Sequence, residues 1–156
     1  MPNLITISLS VKPAVQKYLQ FHHGSSTIYV KRRSSTHKML CRNLMPHNYK
    51  KIFINRYPNQ VRFVMTDQYI RSLDPRSRFL YFDENAVIEL NQYFMKRLKI
   101  ELITFLDGYM VFGDEIQHGI LLFMQKYNLS DADLSFEALK KEFYRYRLRS
   151  NLLKAS

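Results

Sequence analysis

The residues of this chain best suited to chemistry are cations that lie beside aromatic side chains. Lys141, Arg145 and Arg149 are spaced four residues apart, so a helix would place them on one face. Tyr144 and Arg147 cover the adjacent face. Arginine donates paired hydrogen bonds to phosphate and to guanine edges, and tyrosine stacks or donates through its hydroxyl. Such a helix could lie in the major groove of DNA, or its cations could only complement the dipole of their own helix.

A second basic group lies in the first half of the chain. Lys31, Arg32 and Arg33 follow a predicted strand, and the hydroxyl residues 34–36 come next. Hydroxyls beside cations often contact phosphate. Aromatic residues then alternate with further cations, at Tyr29, Tyr49, Lys50, Lys51, Phe53, Arg56 and Tyr57. On a sheet surface this pattern can stack unpaired bases, unless the aromatic residues are core and the cations only its solvated face.

These patterns predict a nucleic-acid-binding surface drawn from both groups. Its predicted residues are Lys31, Arg32, Arg33, Lys50, Lys51, Arg56, Lys141, Tyr144, Arg145, Arg147 and Arg149. The connector 128–134 between the last two predicted helices contains Asp131 and Asp133, which would repel phosphate. It is also longer than the roughly three or four residues of a helix-turn-helix, so that motif is not predicted.

Metal binding has weaker support. His37, Cys41 and His47 have a spacing that metal ligands could use, but a closed zinc site usually needs four ligands. Cys41 is the single cysteine, and the histidines at 22 and 23 would have to reach the site from elsewhere. We therefore predict no metal site.

Catalysis has no supporting motif. The carboxylates Asp67, Asp74, Asp83 and Glu84 could bind Mg²⁺ for phosphodiester chemistry. Asp83 more simply caps the helix that follows, and Asp74 more simply starts a turn. The four glycines form no phosphate-cradling loop and no nucleophile elbow. We therefore predict that the chain is not an enzyme and carries no cofactor.

The elements that must position these residues follow from the spacing of apolar residues. The first half predicts, in order, a strand at 4–11, a helix from Pro13 to Gly24, a strand at 27–30, a short helix within 34–44, a strand pair at 51–57 and 60–66, and a loop at 67–80. Pro58 lies in the turn of the strand pair, where a strand must end.

From Asp83 onwards the apolar residues recur at three- and four-residue steps. They predict one long helix through Val87, Leu90, Phe94, Leu98, Leu102, Phe105 and Tyr109. A second helix after Asp114 and a third capped by Ser135 follow. The predicted fold class is α+β, in which a small basic β-rich amino-terminal half (residues 1–82) precedes three α-helices (residues 83–156) in a single domain.

Charge is distributed in three blocks. Residues 1–66 carry eleven Lys and Arg but no Asp or Glu, residues 67–139 are net acidic, and residues 140–156 are basic. The net charge is +11. A segment of one sign needs an external anion, and nucleic acid phosphate is the most common. The acidic block could instead neutralise part of this charge within the chain.

Compartment and membrane association can also be predicted. A single cysteine forms no internal disulfide and fits a reducing compartment. The chain has no run of about 18 apolar residues, and its amino terminus lacks the features of a signal peptide. We expect a cytoplasmic protein without a membrane partner.

Residues 116–147 show a helix ending in Lys126-Tyr127, an acidic joint at 130–133 and a basic-aromatic run at 139–147. In these features the segment resembles the carboxyl-terminal part of small, mostly uncharacterised proteins of bacterial phages and integrated mobile elements. The resemblance implies a mobile-element context and a DNA-associated role, and it assigns no functional residues.

The sequence thus predicts a non-enzymatic nucleic-acid-binding protein of phage or mobile-element origin, with DNA favoured over RNA. The alternative is a structural or assembly component, such as a virion or complex subunit, that forms a homo-oligomer through its helices. In that case the basic surface would dock on an acidic protein.

Overall fold

The computed structural model describes residues 4–47, 51–66, 79–110 and 115–155. In these ranges the protein is a mixed α+β structure whose strands all precede residue 83. The elements are β1 (Leu4–Val11), α1 (Pro13–His23), β2 (Thr27–Tyr29), α2 (Ser35–Asn43), β3 (Leu44–His47), β4 (Asn59–Thr66), β5 (Phe79–Phe82), α3 (Glu84–Met110), α4 (Ile116–Lys126) and α5 (Phe136–Lys154).

The predicted α+β class is therefore confirmed, but the described residues hold five helices rather than three. The three long helices of the second half occur as predicted, and the strand-rich half holds α1 and α2 as well. The chain divides into two compact units, residues 1–93 and 94–156.

The first unit is built around β4, the central strand of a three-stranded sheet. β1 pairs with it antiparallel, from Leu4 opposite Thr66 to Val11 opposite Asn59. β2 pairs parallel on the other side, with Ile28 opposite Phe63. Because side chains alternate across a strand, one sheet face carries the buried residues. These are Ile7, Leu9, Val11, Ile28, Val61, Phe63 and Met65.

The predicted strand at 51–57 is wrong, since residues 51–56 have no regular secondary structure. β1 and β2 occupy both edges of β4, so this segment cannot pair with the strand predicted to be its partner. It is held by a side chain instead. The buried Ser10 Oγ accepts hydrogen bonds from the backbone N–H of Arg56 at 3.2 Å and of Tyr57 at 3.3 Å.

A second, two-stranded sheet pairs β3 antiparallel with β5. Leu44 lies opposite Phe82, and both side chains are buried. The loop predicted at 67–80 is wrong at its last two residues, 79 and 80, which belong to β5. The apolar sequence of β5, Phe-Leu-Tyr-Phe, suits a short strand better, and the rest of that predicted loop, 67–78, lies outside the described residues.

The buried amide of Asn91 joins α3 to the end of β1. Its Oδ1 accepts a hydrogen bond from the backbone N–H of Lys12 at 2.9 Å. Its Nδ2 donates to the carbonyls of Ser10 at 3.0 Å and Val87 at 2.8 Å. A buried amide with all these partners costs little and fixes the orientation of the helix on the strand.

The second unit consists of the rest of α3 with α4 and α5. Its core holds Phe94, Leu98, Leu102, Phe123 and Phe143, all at most 2% exposed. The predicted cap of α5 is confirmed, because Ser135 Oγ accepts from the backbone N–H of Ala138 at 3.2 Å. Asp114, the predicted cap of α4, lies outside the described residues.

Within the ranges described, none of the helices combines the length and the apolar character needed to cross a membrane.

Candidate nucleic-acid interface

The outer face of the three-stranded sheet is polar. The polar sheet face is defined as Thr6, Ser8, Thr27, Tyr29 and Arg62. The buried Val64 lies on the same side of the sheet. Arg62 lies between Ser8 and Thr27, and in the next row Val64 lies between Thr6 and Tyr29. The Tyr29 side chain is 73% exposed. Tyr29 is therefore a surface residue, and the question left open by the sequence is answered for this aromatic.

The polar sheet face leads directly into a basic turn, defined as Lys31, Arg32 and Arg33. The backbone N–H of Val30 donates to the carbonyl of Val64 at 3.0 Å, which fixes the last residue before the turn. Arg33 has a φ of 62°, in the left-handed region, and this reverses the chain towards α2. All three cationic side chains are exposed. The turn thus presents three positive charges next to Tyr29.

The hydroxyl after this turn has a structural role. Ser34 Oγ accepts from the backbone N–H of His37 at 3.1 Å and caps α2. Ser34 can then bind a phosphate only by donating its O–H. It is therefore less available for the predicted hydroxyl contact.

Helix α2 adds two cations that sequence analysis did not select. Lys38 and Arg42 are one turn apart on its exposed face, while His37 and Leu40 are buried on the opposite one. The four-residue spacing within the predicted helix was the signal that could have identified them. The positive end of the α2 dipole also lies beside the basic turn.

The predicted metal-ligand spacing brings only two of its three residues together. Cys41 Sγ lies 3.7 Å from His37 Nε2. In the described ranges there is no group of three or more His, Cys, Asp or Glu that could hold a metal ion. Burial raises the pKa of the Cys41 thiol, so it stays protonated at neutral pH and is a weak nucleophile.

A cleft of about 340 Å³ lies beside β1. Its lining includes Thr6, Ser8, Lys51, Phe53 and Tyr81. The aromatic rings of Phe53 and Tyr81 can stack on a base, and the ammonium of Lys51 can bind the phosphate of that nucleotide. The cleft therefore extends the chemistry of the polar sheet face. Lys50, the predicted neighbour, lies outside the described residues.

Arg56 is engaged within the protein. It forms an ion pair with Glu84, and hydrogen bonds to Tyr57 and then Glu84 raise the pKa of its guanidinium. The Tyr57 ring is approached by Lys12 Nζ and Arg56 Cζ, at 5.6 and 5.8 Å from its centroid. Arg56 and Tyr57 are thus the weakest members of the predicted basic-aromatic pattern.

In α5 the predicted residues Lys141, Tyr144, Arg145, Arg147 and Arg149 are all exposed. Leu139 and Phe143 are buried on the opposite face, as the apolar stripe predicts. Three exposed leucines, Leu148, Leu152 and Leu153, lie among the cations of α5 and were not predicted. Leu148 and Leu152 continue the four-residue spacing of Tyr144 and are 65% and 71% exposed. The exposed face of α5 is therefore both basic and apolar.

Few carboxylates oppose the cations of the first unit. Its described residues hold ten Lys and Arg but three carboxylates, namely Asp83, Glu84 and Glu89. Asp83 Oδ1 accepts from the backbone N–H of Ala86 at 2.7 Å and caps α3, and Glu84 pairs with Arg56. In the part of the chain that the structure describes, no carboxylate forms an ion pair with the basic turn.

Comparisons with protein-family models, with curated proteins and with solved structures find no match to this chain.

Proposed function

We propose that this chain is a non-enzymatic nucleic-acid-binding protein, with DNA favoured over RNA, which binds through the polar sheet face and the basic turn. One observation carries the proposal. Tyr29 is 73% exposed, and along β2 it follows Thr27, the partner of Arg62, and comes two residues before the basic turn. The ring can stack on a base, and the cations can bind its phosphates. The described part of this face has no carboxylate that would repel them.

The cationic and the aromatic residues would bind different parts of the nucleic acid. The basic turn, with Lys38 and Arg42 behind it, would neutralise phosphates. Tyr29 would stack on a base, and Phe53 in the cleft beside β1 would take a second ring. A ring that lies on a sheet can reach the face of a base only when the base is unpaired. We therefore expect single strands to bind more tightly than duplex of the same sequence.

The test is a salt titration of binding to a fluorescent single-stranded DNA oligonucleotide, followed by anisotropy. The triple variant K31Q/R32Q/R33Q should bind more weakly, and its salt slope should fall by about 2, because about 0.7 counterions are released per phosphate contact. Tyr29→Ala should lose about 1–3 kcal/mol at an unchanged slope, because stacking is not ionic. Tyr29→Phe keeps the ring and should bind like the parent protein.

A triple variant of α5, R145Q/R147Q/R149Q, removes the same charge and serves as the matched control. If it weakens binding as much as the turn variant and Tyr29→Ala has no effect, the protein binds by net charge alone and the proposed site is wrong. Absence of binding at about 50 mM salt would contradict the function itself. The mobile-element origin stays a prediction, and it favours DNA as the ligand.

A further inference from the structure

The second unit has an open groove of about 560 Å³ between α4 and the start of α5. This α4–α5 groove has an apolar floor formed by Leu121, Met124, Leu129 and Phe136. Leu121 is 55% exposed. The two charged residues that line it, Asp131 and Glu137, are both acidic. One oxygen of Asp131 accepts from the backbone N–H of Phe136 at 2.8 Å, so this charge is held at the rim.

The other end of α5 has the opposite character. The α5 tail, residues 144–154, carries the exposed Leu148 and Leu152. Arg145 and Arg149 are spaced like the leucines and lie beside them on the same side of the helix. The α5 tail is therefore an apolar ridge with a cationic border, and the α4–α5 groove is an apolar trough with an anionic border.

The groove and the tail of one chain cannot meet. Both belong to the same helix, which rises about 1.5 Å per residue, so Leu148 and Leu152 lie roughly 18 and 24 Å along the axis from Phe136. A continuous helix cannot fold back over its own first turn. A second copy is the partner whose shape and charge are already present on the molecule.

We propose that the α5 tail of one copy docks in the α4–α5 groove of a second copy. The leucines then leave water, and Arg145 and Arg149 meet Asp131 and Glu137. The contact is heterologous, because each copy offers a groove to one neighbour and a tail to another. Such contacts close into rings or continue as open chains. This inference concerns assembly and does not depend on the proposed binding of nucleic acid.

Two full-length variants test the contact, each with one face destroyed at exposed positions. Leu121→Arg puts a charge in the groove, and L148E/L152E makes the tail acidic and polar. Sedimentation velocity of nuclease-treated protein, from about 1 to about 100 μM, measures the assembly. The unaltered chain should form species larger than a dimer, and each variant alone should be monomeric. An equimolar mixture should give a one-to-one dimer and nothing larger, because one intact groove and one intact tail remain.

Ile100→Glu is the matched control, since Ile100 is 53% exposed in the same unit and lines neither face. It should assemble like the parent chain. The dimer in the mixture also demonstrates that both variants are folded. A monomeric parent chain, a mixture that stays monomeric, or a groove variant that still associates through its tail would each overturn the proposal. Loss of assembly would leave the effect of Tyr29→Ala on DNA binding unchanged.

Discussion

At the scale of single residues, the start of α2 combines a buried imidazole with a cation. Burial lowers the pKa of His37, and the positive charge of Arg32 lowers it further. The ring is therefore neutral in the folded protein at neutral pH. Cys41 lies beside it, and because burial raises the pKa of this thiol it does not supply a negative charge to the ring at neutral pH.

We expect the free energy of unfolding to fall as the pH drops below 6.5, the ordinary pKa of histidine. In the unfolded chain His37 regains that pKa, so acid protonates the unfolded state first and favours it. Above 6.5 the contribution is fully present, and it is lost as the pH falls towards the lowered folded value. Urea unfolding at about pH 7.5 and about pH 5.5 measures the difference.

His37→Leu should make this difference smaller. It should not abolish it, because burial and the charge of His22 lower the pKa of His23 in the same direction. His23→Gln is therefore the comparison variant. A pH dependence that is identical in His37→Leu and the parent chain would show that this ring does not couple protons to folding.

At the scale of elements, α3 and α4 approach closely at a glycine. A methyl group at Gly119 would lie 2.7 Å from Leu106 Cδ2 and 2.9 Å from Tyr109 Cδ1. Leu106 is fully buried and has little room to move. Gly108, in α3, has no atom within 4 Å of the same added methyl. The two glycines are both helical and differ in this contact.

Gly119→Ala should destabilise the protein by about 1–2 kcal/mol, because overpacking outweighs the better helix propensity of alanine. Gly108→Ala should stabilise it by up to about 1 kcal/mol, since only the propensity changes. Urea midpoints of both variants and the parent chain measure the effects. Equal shifts of the same sign would contradict the close contact between the helices.

The sequence predicted elements well where the information is local. Alternation identified β1, proline and glycine bounded α1, and the serine at 135 identified the start of α5. Strand partners were not predictable in this way. Residues 51–57 have the composition of a strand. However, β4 pairs with β1 and β2, so neither of its edges is open to residues 51–57. The spacing of apolar residues alone cannot show which strands pair with β4.

The candidate site was predictable to a similar degree. The basic turn could be read from three adjacent cations, but the exposure of Tyr29 depends on which sheet face is buried. The α5 leucines were missed for a related reason. The spacing of Leu148 and Leu152 suits a buried stripe, and only their exposure in the folded chain distinguishes a docking ridge from a core.

At the scale of the whole molecule, the dominant feature is a net charge of +11. Arg56–Glu84 and Lys99–Glu142 are exposed or partly exposed ion pairs among the described residues. Each such ion pair contributes little to the free energy of unfolding. Repulsion among the surplus cations should therefore oppose folding more than these pairs favour it.

We expect the melting temperature to rise by a few degrees between about 50 and about 500 mM NaCl, because salt screens this repulsion. Differential scanning fluorimetry measures the change. K31Q/R32Q/R33Q should melt higher than the parent chain at low salt and gain less from added salt. A melting temperature that falls with salt would mean that ion pairs, and not repulsion, dominate the electrostatics.

The pairing of β1 with β4 also has a consequence for synthesis on the ribosome. Val11 pairs with Asn59 and Leu4 with Thr66, so a long loop must close before the sheet exists. The apolar side chains of β1 are thus synthesised before β4 and remain uncovered until residue 66 has emerged. Residues 1–66 are also the stretch without a single carboxylate. Nascent chains at this stage repel one another, which should protect the unpaired strand from aggregation until its partner arrives.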